Sequence, residues 1–172
     1  TAILREIGQA LITTVDVGAI SDILAQRLPE LGIRSCFLSL FGQAPPTNVQ
    51  MARLVMGYTE SGRIAVPDEQ AYFPACQLAP SACFPLSRRA TWVVEPLFFR
   101  ESRIGFVLFE VGPRDTAIYE VLRGYISSAL KGALLVREAN SARMAAEKAD
   151  AIKTRLLANV SHELRTPLHI IL

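Results

Sequence analysis

From Ala133 to Thr166 the chain runs without a single glycine or proline. No other feature constrains the fold as strongly. Just upstream, Ile118, Leu122, Tyr125, Ala129, Ala133 and Val136 recur at gaps of three and four, the period of one helix face. Gly112-Pro113 breaks the element before them, and Asp115 can cap a helix that starts there. The pattern predicts one helix from about residue 115 to Thr166, on the order of 75–80 Å long at about 1.5 Å per residue. A chain of 172 residues cannot wrap a helix of that length in its own core.

The side chains along it change character after Val136. The segment REANSARMAAEKADAIKTR (137–155) loses its large apolar residues but keeps Ala142, Ala145, Ala149 and Ile152 at heptad-like gaps. The seam continues through Leu156, Val160 and Leu164, and Arg143–Glu147 and Asp150–Lys153 stand at ion-pair spacing. A thin apolar seam on an uncovered helix predicts pairing with the same helix of a second chain, a homodimer. The alternative is a solvated tail.

The first 112 residues read as a mixed α+β domain. Residues 2–31 carry two amphipathic helices: Ile3, Ile7, Leu11 and Ile12 share one side of the first, and Ile20, Ile23, Leu24 and Leu28 one face of the second. Asp16 is placed as an N-cap and Gly32 as a stop. SCFLSLF (35–41) and MARLVMGY (51–58) read as strands around a proline loop. Residues 59–90 read as an irregular tract, a lid or pocket wall. TWVVEPLFF (91–99) and RIGFVLFEV (103–111) read as a hairpin, with Pro96 at a sheet edge or a bulge. Both strands are apolar at most positions, so both sheet faces are expected to be covered, one by helices and the other by the irregular tract, with a ligand cavity beneath it.

Composition excludes several classes. Lys and Arg number 18 against 16 Asp and Glu, which is no basic footprint for nucleic acid. No apolar run reaches a membrane span and no signal peptide opens the chain, so a cytoplasmic setting is expected. The first residue is Thr1 rather than Met, which is expected of a piece of something longer. Cys36, Cys76 and Cys83 have neither disulfide-framework nor zinc spacing, and read as ordinary thiols in a reducing compartment.

Both histidines lie in LLANVSHELRTPLHIIL (156–172). On a helix, His162 and Thr166 share a face, and Glu163 is next to the ring. A neutral imidazole has one nitrogen lone pair and one N–H. A carboxylate that accepts the N–H makes the other nitrogen a better nucleophile, suited to attack on a phosphoryl group. Thr166 can hold a water for the reverse hydrolysis. Pro167 removes a backbone bond to the carbonyl of Glu163 and loosens the helix beside the reactive ring. On spacing alone, a surface histidine beside a glutamate is more often inert.

The motif SHELRTPL (161–168), preceded by LLANV, resembles the H-box of sensor histidine kinases. The resemblance spans about residues 150–172. It implies His162 as phosphoacceptor, Glu163 as its acid/base partner and Thr166 as the residue of phosphatase activity, on the first helix of a dimeric four-helix bundle. It makes a response-regulator receiver domain the expected partner. His169 falls outside the acceptor position. Residues 1–136 resemble a GAF domain, a small-molecule sensor with a central antiparallel sheet, by order of elements and by the closing hairpin VVEPLFFRESRIGFVLFE. Residues 137–151 then read as a signalling-helix linker and 152–172 as the first part of the phosphoacceptor helix. The ATP-binding domain of the family, with its Mg, is not in this sequence, so this stretch alone is expected to be inactive and to hold no cofactor of its own. No Cys-His pair suits a bilin, and no cyclic-nucleotide motif is found.

Overall fold

The computed structural model describes residues 2–42, 49–65, 67–84 and 88–168, with the side chains of Glu69 and of residues 164–168 left aside. The chain forms two compact units, Thr1–Leu134 and Leu135–Leu172.

The first unit opens with α1 (Ala2–Ile12) and α2 (Val17–Arg27), and a 3-10 turn (Leu28–Leu31) comes next. Asp16 caps α2 as expected: its carboxylate accepts the Ala19 N–H at 2.9 Å. The turn ends at Gly32, with a φ of 82° in the left-handed region. The sheet comprises β1 (Cys36–Phe41), β2 (Met51–Thr59), β3 (Gly62–Arg63), β4 (Tyr72–Pro74), β5 (Trp92–Phe99) and β6 (Ser102–Glu110). Its order is β3-β2-β1-β6-β5, with β4 also pairing to β2, and every pair is antiparallel. α3 (Ala117–Leu168) is the last element among the described residues. The class is α+β, an antiparallel sheet flanked by helices with a long C-terminal helix.

The sheet's two faces carry two cores. On one, Ile7, Leu11, Leu24 and Leu122 of the helices pack with Leu38 and Val107 of the strands. On the other, Phe37, Leu54 and Phe106 pack with Phe73, Ala79 and Cys83 of the tract after β3. At about 25 cal/mol per Å² of apolar surface buried, two such layers supply the main stabilisation of the unit.

Two expectations need correction. The tract 59–90 is not wholly irregular: it contributes β3 and β4, which pair with opposite ends of β2, and three 3-10 turns. Strands of two and three residues are too short to show an alternation in sequence. Second, β6 is buried from Ile104 to Glu110, but β5 leaves Val94, Phe98 and Phe99 exposed. β5 is an edge strand with one neighbour, which is also where Pro96 can sit without breaking a ladder.

In the first unit, α3 buries Tyr119, Leu122, Ile126, Ala129, Leu130 and Ala133. In the second, every described side chain from Leu135 to Glu163 is exposed. Among the described residues, no helix is long and apolar enough to cross a membrane.

Candidate functional site

The H-box residues lie on α3, and the backbone stays helical through them to Leu168. His162 and Glu163 are both exposed. Thr166 sits one turn beyond His162, on the same side of the helix; its side chain, like all of His169, lies outside the described residues. Ile152, Leu156 and Val160 are 58%, 62% and 47% exposed, so the apolar seam has no cover within the described chain. At about 100° per residue, His162 falls roughly 120° round the helix from Leu156 and 160° from Val160. A second helix laid on the seam would therefore leave the imidazole facing solvent. Leu157 is also exposed and widens the apolar face beyond the residues singled out in the sequence. Arg143 and Glu147 form the expected pair, at 3.8 Å.

A second polar cluster lies in the first unit, at the end of the sheet where β6 stops. Glu110, the last residue of β6, is 5% exposed. The Arg88 guanidinium grips its carboxylate with both terminal nitrogens, Nη2 at 2.8 Å from Oε2 and Nη1 on Oε1. Ser35 Oγ donates to Oε2 at 2.7 Å. Glu60 joins the chain of charge, 3.3 Å from Arg34 and 3.8 Å from Arg88 Nε. The Arg88 hydrogen bonds, with the Ser35 donor, hold the Glu110 carboxyl below the usual carboxylate range against the opposing effect of burial. The same bonds push Arg88 up. Tyr58 donates its hydroxyl to the Ile33 carbonyl at 2.8 Å, and burial, with Cys36 and Glu110 nearby, pushes its phenol up, so it stays protonated. A bidentate guanidinium–carboxylate pair is strong and directional. Here it fastens the end of the 59–90 tract to the sheet across 22 positions.

The face beneath that tract is lined by aromatic rings. Phe37 stacks on Trp92 at 5.2 Å, Phe84 meets both edge-on, and Phe106 lies between Phe41 and Phe73. The cysteines do not converge on a reactive site: Cys36 and Cys83 are buried, which pushes both thiols up, and Cys76 is exposed. Among the described residues, no three of His, Cys, Asp and Glu gather to hold a metal ion.

Reading the sequence for spacing does not find the Arg88–Glu110–Ser35 cluster, because its members stand 22 and 75 positions apart. One signal was present: Glu110 is an acid at the end of the apolar run IGFVLF, and an acid on a buried strand must find a partner.

No protein-family model matches the chain, and no curated protein matches it. Among solved structures it is similar to the GAF domain of a phosphoenolpyruvate-protein phosphotransferase from Acinetobacter. The two share 14% identity at a TM-score of 0.46, over 81% of this chain and 93% of that one. A likeness this distant assigns neither ligand nor activity.

Proposed function

We propose that this chain is the sensory and phosphoacceptor part of a two-component sensor histidine kinase, and that residues 1–136 are a GAF-like sensor. The observation that carries the reading is the motif SHELRTPL borne on a helix whose seam is bare and whose His162 points away from that seam. His162 attacks the γ-phosphorus of ATP held by a catalytic domain. A nitrogen–phosphorus bond forms, the bond to the departing ADP oxygen breaks, and Glu163 takes the proton leaving the other ring nitrogen. The phosphoryl group then passes to an aspartate of a response regulator. Thr166 serves the reverse hydrolysis by positioning water.

Signal passes from the sensor to His162 by a change in how two copies of α3 pair. The alanines at 142, 145 and 149 make a weakly packed segment in which two helix arrangements differ by only a few kcal/mol. The test supplies a sensor-kinase catalytic domain and ATP in trans. Label on the chain that survives base, is lost in acid and vanishes in His162→Gln supports the reading. Acid-stable label, or label unchanged in that variant, rejects it.

A second reading is favoured by one observation: the aromatic rings beneath the 59–90 tract pack on one another, as in a sensor-like domain that binds nothing there. The chain is then a non-catalytic dimerising module. A small molecule that binds among these rings, read as a saturable change in Trp92 fluorescence, would count against it.

A further inference from the structure

We propose that the groove between the end of α2 and the β2–β3 turn binds a small oxyanion-bearing molecule, a carboxylate or a phosphate, held by the guanidinium groups of Arg34 and Arg63 and read out by the start of α3. This names the input to the proposed sensor, and its binding step stands whether or not His162 is phosphorylated.

The groove is open, of about 770 Å³, and is lined by Pro29, Gly32, Arg34, Tyr58, Glu60 and Arg63 among others. It lies away from the aromatic face beneath the 59–90 tract, whose cluster contains none of these residues. Its walls bring two arginines and one carboxylate together. Arg34 is 64% exposed and pairs with Glu60, while Arg63 is 49% exposed and pairs with Asp22. Both carboxylate partners are themselves more than half exposed. Such solvated pairs hold loosely and exchange readily. A guanidinium fork matches a carboxylate or phosphate in two parallel hydrogen bonds, so a ligand that offers oxyanions to both arginines displaces two weak pairs and forms two better ones. Gly32 and Gly62 bound the groove at φ of 82° and 108°, and a Cβ at either would meet nothing within 4 Å. The floor is therefore open to close approach.

One lining residue, Gly32, touches the segment that launches α3. Gly32 lies against Gly112 so closely that a Cβ on Gly112 would fall 2.0 Å from the Gly32 oxygen. The Glu110 N–H donates to the Ser35 carbonyl at 2.9 Å. The Gly112 N–H donates to the Tyr119 hydroxyl at 3.0 Å, and that hydroxyl donates to the Pro113 carbonyl at 3.2 Å. Tyr119 is in the first turn of α3. Glu60 adds a second connection: it touches Arg34 on the groove side and Arg88 on the Glu110 side. A ligand that draws Arg34 off Glu60 frees that carboxylate to compete for Arg88. Two routes thus run from one groove to residues 110–119.

Calorimetric titration of the full chain with inorganic phosphate and with succinate, at constant ionic strength, tests the binding. Saturable one-site binding of either anion, weakened about tenfold or more by Arg34→Gln and by Arg63→Gln and unaffected by Arg103→Gln on the other hairpin, supports the site. Phosphate alone identifies a phosphate-bearing ligand, and succinate alone a carboxylate. No saturable binding of either, or binding untouched by both groove substitutions, overturns it. Hydrogen exchange at the Gly112 and Tyr119 amides tests the readout: protection that rises with occupancy supports it, and unchanged exchange at saturation overturns the coupling. None of these measurements depends on His162, so a failed phosphorylation assay would leave them standing and would count against the kinase reading alone.

Discussion

Replacing Gly112 by alanine should damage the first unit more than any other single-methyl addition to its exposed connections. The new Cβ would sit 2.0 Å from the Gly32 oxygen and 2.7 Å from the Gly32 carbonyl carbon. Both are backbone atoms, so no side chain can swing aside. Restoring ordinary contact requires the β6–α3 connection and the turn after α2 to part by about 1 Å. Overpacking of this kind costs about 3 kcal/mol at its upper range. For a unit of this size that is a fall in melting temperature of about 10 °C. Gly124→Ala provides the contrast: a Cβ there meets nothing within 4 Å, and alanine in a helix interior gains about 1 kcal/mol over glycine. Urea unfolding monitored by circular dichroism would read both. A Gly112→Ala protein within about 0.5 kcal/mol of the parent would refute the close approach on which the groove-to-helix coupling depends.

The charges and the bare helix lead to further outcomes. Glu110 is held below the ordinary carboxylate range when folded, so it contributes stability above that range and loses it as pH falls through its folded value. The stability difference between the parent and Glu110→Gln should shrink as pH is lowered below the ordinary range, and a pH-independent difference would contradict the Arg88 pairing. Leu156→Asp should shift a dimer towards monomer in sedimentation equilibrium while the melting of the first unit stays unchanged, because Leu156 is 62% exposed in the single chain. An unchanged mass distribution would remove the seam as the site of pairing.

The long helix, both N-terminal helices and the four longer strands were legible because each carries a sustained period: three-and-four gaps in α3, and short apolar runs in β1, β2, β5 and β6. Asp16 and Gly32 were legible for local reasons, since a cap and a left-handed stop depend on the residue itself. The features that stayed hidden depend on distance. β3 and β4 exist because β2 offers them a free edge, which their own few residues do not announce. The grip of Arg88 on Glu110 and the groove between Arg34 and Arg63 depend on the strand order, since they join residues from separate stretches of the first unit. The half-exposed face of β5 was missed for the same reason: an apolar strand looks alike at the edge and at the centre of a sheet until its neighbours are known.

The most direct measurement on the central claim is phosphorus NMR of the full chain after incubation with ATP and a sensor-kinase catalytic domain, and then mass spectrometry of the peptide covering residues 156–168. The account predicts a nitrogen-linked phosphoryl resonance and a single modified residue, His162. A resonance of phosphate ester type, or a modified peptide in which His162 is untouched, would contradict it.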